Sequence, residues 1–354
     1  MSYKILVINP GSTSTKVALF ENEIFLCEHK INHSSEQLRQ YPNLWDQFDL
    51  RKKGIMAFLD KNNIKLGQLS AVVGRGGLLK AIPGGTYLVN EAMVEDARRG
   101  VQGEHASNLG CALAYNIAKE ANISAYTVDP VSVDEFAPLA RYSGHPSIQR
   151  RALAHTLNIH AVGRMAAEKL GVAYLQTNFI IAHLGGGISI CPLNQGRIID
   201  VNDASSSGPF SPERTGELPL QPFIKLCFSK NYTEQQMRKL VMGGGGLMAY
   251  LNTNSAEEIE KRIQQGDHYA REVYNAMAYQ IAKEIGAMAT VVNGDVRAIV
   301  ISGGLAKSKI LIDWIKQRVQ FIAEVVVLPG EFEMEALANG VLRVLQGKEI
   351  AKTY

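Results

Sequence analysis

One pattern constrains this chain more than any other, because it occurs twice. ILVINPGSTSTKVALFENE (residues 5–23) and FIIAHLGGGISICPLNQGR (179–197) share a plan: apolar strand, glycine-bearing turn, second strand, polar turn. A second pair follows: AVVGRGG (71–77) and IVISGG (299–304) are apolar runs that end in glycines. Two such pairs are the trace of a duplicated domain and not of a short-period solenoid. Helical stretches lie between the strands, which specifies an α/β fold.

The periodicity predicts helices over 105–121, with Leu109, Leu113 and Ile117 in step, and over 269–289, with Val273, Met277, Ile281, Ile285 and Met288 on one stripe. A third is expected over 151–170, with Leu153, Leu157, Ala161 and Met165 on one face and His155 pointing off it. A closing helix carries Met334, Leu337, Val341 and Leu345. The segment YSGHPSIQRR (142–151) is the expected hinge between the halves. GGGG (243–246) reads as a plain turn between helices.

The remaining bounds are broad. A chain of 354 residues has room for two domains, and 46% hydrophobic with 20% charged residues suits a globular core. A net charge of +3 argues for neither nucleic acid nor a membrane surface. No apolar run reaches the ~18 residues that a spanning helix needs. Cys27, Cys111, Cys191 and Cys227 form no CxxC pair, so they read as reduced thiols and point to a cytoplasmic protein.

NPGSTSTK (9–16) offers backbone N–H groups, hydroxyls and one lysine, the ingredients of an anion cradle. It fails the GxxxxGK[ST] pattern: no glycine precedes Lys16, and a strand, not a helix, follows. Alone it would pass for an ordinary polar hairpin. HLGGG (183–187) also ends a strand and continues as one. Three glycines cost on the order of 1 kcal/mol each against alanine, which implies a close approach to the backbone. SGGLAKSK (302–309) leads from a strand into a helix. Taken together, the three turns favour a nucleotide cleft between two duplicated domains.

The order NPGSTSTK, VGRGG, QGEH, VDPV, LAHT, AHLGGG, SPERTGELP, ISGGLA and PGEFEMEAL resembles the acetate kinase–butyrate kinase family along nearly the whole chain. Within that family it is most similar to the butyrate kinase and branched-chain fatty acid kinase branch. The resemblance implies an actin-like ATPase (ribonuclease H-like) fold, α/β, with two βββαβαβα domains around a nucleotide cleft. The expected division is 1–150, completed by the helix 334–354, and 151–333 as the nucleotide-binding domain.

The implied reaction transfers a phosphoryl group reversibly between ATP and a short-chain carboxylate, giving ADP and an acyl phosphate, with Mg²⁺ as cofactor. A carboxylate is already ionised at neutral pH, so catalysis must come from positioning and charge neutralisation. Guanidinium forks suit carboxylates and phosphoryl oxygens. The resemblance assigns catalysis to Arg75, Asp129, His155 and Arg214. It assigns substrate and phosphate binding to Asn9, Ser12, Ser14, Lys16, His105, His183, Gly185, Gly186 and Gly187. Gly303, Gly304 and Leu305 are expected at the nucleotide. Metal ligands are expected from Asp129 and from Glu333 or Glu335, which fit equally well. Ser12 and Ser14 alternate with Thr13 and Thr15, so an extended segment would show them on one side.

Acetate kinases usually carry HLGNG where this chain has HLGGG, which puts one phosphate contact in doubt. They also carry bulky apolar residues where Gly76 and Gly77 follow Arg75, and a longer segment than DASSSGPFSPERTG (203–216). Both differences fit a four- or five-carbon acid, a butyrate kinase. The alternatives are an acetate or propionate kinase, a non-catalytic nucleotide-sensing module, and a sugar kinase, which would need an aspartate base. The expected partners are a carboxylate or acyl phosphate and ATP or ADP, with no nucleic acid and no membrane. A homodimer or higher homo-oligomer is expected.

Overall fold

Each copy of the hairpin plan founds a sheet. The computed structural model describes residues 1–354. The strands are β1 (Lys4–Pro10), β2 (Ser14–Glu21), β3 (Ile24–Asn32), β4 (Ala71–Gly74), β5 (Thr86–Leu88), β6 (Ser124–Val128), β7 (Asn178–Leu184), β8 (Ile188–Asn194), β9 (Arg197–Ile198), β10 (Ala298–Gly303), β11 (Glu324–Pro329) and β12 (Lys352–Thr353). The first sheet runs β12-β5-β6-β4-β1-β2-β3 and the second β11-β10-β7-β8-β9.

The duplication is visible in the register. β1 pairs antiparallel with β2 and parallel with β4. β7 does the same with β8 and β10. The order β6-β4-β1-β2-β3 thus recurs as β11-β10-β7-β8-β9. The four central residues of β1, Ile5–Ile8, have no exposure at all. Burial on both faces explains why the strand reads as an unbroken apolar run instead of an alternating one.

Helices supply the outer layers. Asn108–Ala121 buries Leu109, Leu113 and Ile117 completely. His268–Val291 buries its expected stripe, from Val273 to Met288. Glu333–Leu345 buries Met334, Leu337 and Val341. No helix is long and apolar enough to cross a membrane.

The chain separates into two compact units: 1–134 with 332–354, and 135–331. The first boundary therefore falls before residue 135, not at 150. The reason lies in the contacts of 135–150. Ala137 N donates to Ile199 O at 2.8 Å and Ile198 N to Glu135 Oε2 at 3.0 Å. Arg150 donates to Asp200 Oδ1 at 2.7 Å and to Val201 O at 3.1 Å. The proposed hinge 142–151 consequently lies inside the second unit. The returning segment starts at Phe332, two residues before the expected helix.

A second correction concerns 151–170. The helix is Thr156–Lys169, and His155 is its N-cap. Its buried face is Ile159, Val162, Gly163, Ala166 and Ala167; Leu153, Ala161 and Met165 stay only partly covered. The 3.6-residue period was right and Leu157 is buried as expected, but Leu153, which set the phase, precedes the helix.

Candidate active site

In the first unit, three of the expected residues meet. Asn9 is the penultimate residue of β1, β4 leads directly into Arg75, and Glu333 opens the helix Glu333–Leu345. Arg75 Nη1 lies 2.8 Å from Glu333 Oε1. Asn9 Nδ2 donates to Glu333 Oε2 at 2.7 Å, and Arg75 Nη1 reaches Asn9 Oδ1 at 3.5 Å. Both partners of the ion pair are largely covered, with side-chain exposures of 21% and 15%. The backbone holds Arg75 too, through its N–H to Ile8 O at 2.9 Å. Gly74 and Gly110 let strand and helix touch here; a Cβ on Gly74 would lie 2.5 Å from the Gly110 carbonyl carbon. Glu335 is exposed in the same helical turn, two residues round from Glu333. Only Glu333 therefore belongs to this cluster.

Asp129 follows β6 with φ +40°, a conformation uncommon for a residue with a side chain. Reciprocal bonds hold it there: its N–H donates to Gly85 O at 3.1 Å, and its Oδ1 accepts from Gly85 N at 2.6 Å. It is 5% exposed. His105 is exposed, and its Nδ1 is 2.8 Å from Ser107 Oγ. Neighbouring protein bulk and then the Arg75 charge hold its pKa below the ordinary histidine value.

Gly76 and Gly77 do not leave room for an acyl chain. A Cβ on Gly76 would meet Thr127 Oγ1 at 2.7 Å as well as the ring of Pro130, and one on Gly77 would meet Asn108 N at 2.6 Å. Protein already fills that space. These glycines serve the packing of the Arg75 loop.

At the β1–β2 turn, Ser12 and Thr13 form the exposed tip. Ser14 starts β2 and shares a face with exposed Lys16, while Thr15 is wholly buried on the other. Ser12 lies in the turn, so only Ser14 and Lys16 show the expected strand alternation.

In the second unit, the rings of His155 and His183 lie against each other, centroids 4.6 Å apart and planes tilted by 38°. His155 Nδ1 is 3.0 Å from Ser189 Oγ on β8, and His183 Nδ1 is 3.2 Å from Ser302 Oγ on β10. Ser189 and Ser302, which no sequence motif marks, thus orient the two histidines. The HLGGG turn is fastened to the Arg214 loop. Ser211 Oγ donates to Gly186 O at 2.6 Å, and a Cβ on Gly187 would lie 2.6 Å from Arg214 Cζ. What approaches the Gly187 backbone is therefore the guanidinium itself; Gly186 has open space at its Cβ position. Arg214 Nη1 donates to Ala204 O at 3.0 Å.

GGGG (243–246) is more than a turn. Gly243 N and Gly245 N both donate to Glu213 O, at 2.8 and 3.2 Å, and Thr215 N donates to Val241 O at 3.1 Å. Leu247 N and Met248 N donate to Ser211 O and Pro212 O. Gly246, at φ +63°, lies so close that a Cβ would sit 2.7 Å from Arg214 O. The run moulds the Arg214 loop.

Gly303 has φ +90° and packs against the end of β7, exchanging backbone bonds with Gly330 at 3.0 and 3.1 Å. Gly304 is exposed, but the Leu305 side chain is buried in the core. Any contact of Leu305 with a ligand would be through its backbone.

The second unit's sequence matches the acetokinase family over residues 138–325. The whole chain is 50% identical over 352 residues, 99% of each chain, to the probable butyrate kinase 2 of Caldanaerobacter subterraneus subsp. tengcongensis. It belongs to the acetokinase family. A second relative in that family, the butyrate kinase 2 of Clostridium acetobutylicum, is 49% identical over 355 residues, 100% of both chains. Solved structures share the fold at low identity. Porphyromonas gingivalis acetate kinase has a TM-score of 0.80 at 17% identity, covering 97% of this chain and all of its own. A propionate kinase from Francisella tularensis gives 0.73 at 18%, covering 96% and 98%. The fold is that of the actin-like ATPases, as expected.

No group of three or more His, Cys, Asp or Glu side chains could hold a metal ion by itself. Magnesium asks for less: one or two carboxylates, with phosphate oxygens and water completing the shell. Asp129 and Glu333 each offer a carboxylate fixed by a hydrogen bond, the donor type magnesium takes, and Glu333 is also paired with Arg75.

Proposed function

We propose that this member of the acetokinase family is a butyrate kinase, acting on butyrate or a branched four- or five-carbon acid. Near-complete alignment at about half identity with two butyrate kinases carries the reading. In the reaction a carboxylate oxygen attacks the γ-phosphorus of ATP, the bond to the β-phosphate oxygen breaks, and ADP leaves with that electron pair.

The residues suit this chemistry. No aspartate base is required, because the nucleophile is ionised at neutral pH. Arg75, held by Glu333 and Asn9, would receive the carboxylate in a planar two-point contact. Arg214 and His155 would donate to the oxygens of the moving phosphoryl group, with His183 lying beside His155. Asn9, Ser12, Ser14, Lys16 and the glycines 185–187 would line the phosphates, and Gly303, Gly304 and the Leu305 backbone the nucleotide. Magnesium, when bound to Asp129 and Glu333, supplies charge neutralisation on phosphate oxygens. We place the enzyme in the cytoplasm on its four free thiols. Burial pushes Cys111 up to about 11 and Cys191 further still, so both are inert. An exposed apolar stripe, Leu220, Ile224 and Phe228, supports a homo-oligomer.

A panel of C2 to C5 acids, with the acyl phosphate trapped as its hydroxamate, tests the reading. Butyrate or isobutyrate should give the highest kcat/KM. A higher value with acetate would make the enzyme an acetate kinase. Turnover of a hexose with none of butyrate would place it among the sugar kinases.

A further inference from the structure

The largest side chain with no exposure in the whole molecule is that of Arg51. It stands on the helix Phe48–Lys61, on the same stripe as Ile55, Phe58 and Leu59. A buried guanidinium is normally matched by a carboxylate. Here every acceptor is an uncharged oxygen. Nη1 donates to Gly11 O and Ser14 O, both at 3.0 Å, and to Thr15 Oγ1 at 2.9 Å. Nη2 donates to Ser12 O at 3.2 Å, and Gln47 Oε1 takes Nη2 at 2.9 Å and Nε at 3.2 Å. The charge is thus held, unneutralised, directly beneath the β1–β2 turn.

The turn's geometry follows from this. A trans peptide is planar, so each C=O points opposite to the N–H of the next residue. Arg51 gathers the carbonyls of Gly11, Ser12 and Ser14 on the buried side, and His33 N takes Thr13 O at 2.8 Å. The N–H groups of Ser12 and Thr13, opposite the Gly11 and Ser12 carbonyls, must then face the other way, where both residues are exposed. Successive N–H groups pointing outward over a fixed cation form an anion-binding concavity.

We propose that Arg51, which touches no substrate, is the positioning residue that makes the β1–β2 turn a phosphoryl-binding site. This rests on the kinase reading for the identity of the ligand. Arg51 both aims the backbone amides and supplies a charge that solvent cannot screen.

Two experiments test it on the full chain. In the first, the unmodified protein, labelled with ¹⁵N, is titrated with inorganic phosphate and with pyrophosphate. The Ser12 and Thr13 amides should shift together and saturably; unmoved amides would overturn the proposal even in an active butyrate kinase. If the amides shift but no acid yields an acyl phosphate, the kinase reading fails and the anion site stands. The second uses Arg51→Lys and Arg51→Met. Arg51→Lys, which keeps the charge but reaches fewer carbonyls, should raise the KM for ATP about tenfold while the butyrate KM stays within twofold. Arg51→Met should raise it further. A folded variant of either kind whose ATP KM is unchanged would reduce Arg51 to a packing role.

Discussion

Arg75 and Arg214 carry equal charge but are held differently. Arg75 is braced by a carboxylate, whereas Arg214 Nη1 donates to a neutral carbonyl. Losing that one bond costs on the order of 1 kcal/mol, or roughly 2–4 °C in Tm for a unit of this size. Losing a donor to the phosphoryl group costs far more in rate, about 10²–10³-fold. Arg214→Ala should therefore lower kcat by that factor with a small thermal shift; near-normal turnover would mean that the phosphoryl site lies elsewhere. Both arginines were legible in the sequence because each stood beside glycines in a family motif. His33 was not. It is 4% exposed, and its Nε2 lies 3.0 Å from Thr15 Oγ1. Burial, and then the Arg51 charge, push its pKa below the ordinary value of about 6.5. The unfolded chain thus binds that proton first as pH falls. Stability is complete above about pH 6.5 and declines from there down to the lowered native pKa. His105 is shifted the same way. His33→Gln should accordingly flatten, but not abolish, the loss of urea stability between pH 7.5 and 5.5. An unchanged slope would show that His33 is not a source.

Secondary elements were read well where burial imposes a period and poorly where a loop shapes another loop. β1, β4, β7 and β10 are apolar runs that end in or just before a glycine, and all four lie where the sequence put them. The helix after His155 was placed five residues early, since leucines outside a helix carry the same hydropathy as leucines within one. GGGG was read as a turn because nothing local reveals that its partner is Ser211–Thr215, some thirty residues back. That partnership makes a definite prediction. Alanine at position 246 would force φ +63° on a residue with a side chain and press its Cβ against Ser211 O and Arg214 O. Gly246→Ala should lower kcat at least tenfold by displacing Arg214, whereas Gly266→Ala, at φ +90° with open space around its Cβ, should lower Tm alone. Equal kinetics in the two variants would count against the moulding role.

At the scale of the whole molecule, the duplication was legible because both copies keep strand, turn and strand in one order. What the sequence could not show is how the chain's return, 332–354, braces the first unit. Glu333 meets Asn9 and Arg75 at the start of that segment. At its end, β12 pairs parallel with β5, and the Lys352 ammonium bonds Gly84 O. Tyr354 OH donates to Asp96 Oδ2 at 2.9 Å and accepts from Lys80 N at 3.1 Å. Lys80 Nζ lies 2.7 Å from the same carboxylate oxygen and, with Tyr354, holds the Asp96 carboxyl below its ordinary range. The loop so fastened begins at Arg75 and ends at Gly85, whose N–H fixes Asp129. A hydrogen bond to a charged group contributes about 1.5–3 kcal/mol, so Tyr354→Phe should lower the Tm of the first unit by several degrees. Because the loop carries the arginine proposed for the carboxylate, the butyrate KM should also rise severalfold, while the ATP KM holds. Lys352→Met should act in the same direction. A fall in Tm without any change in the butyrate KM would confine the returning segment to a role in stability.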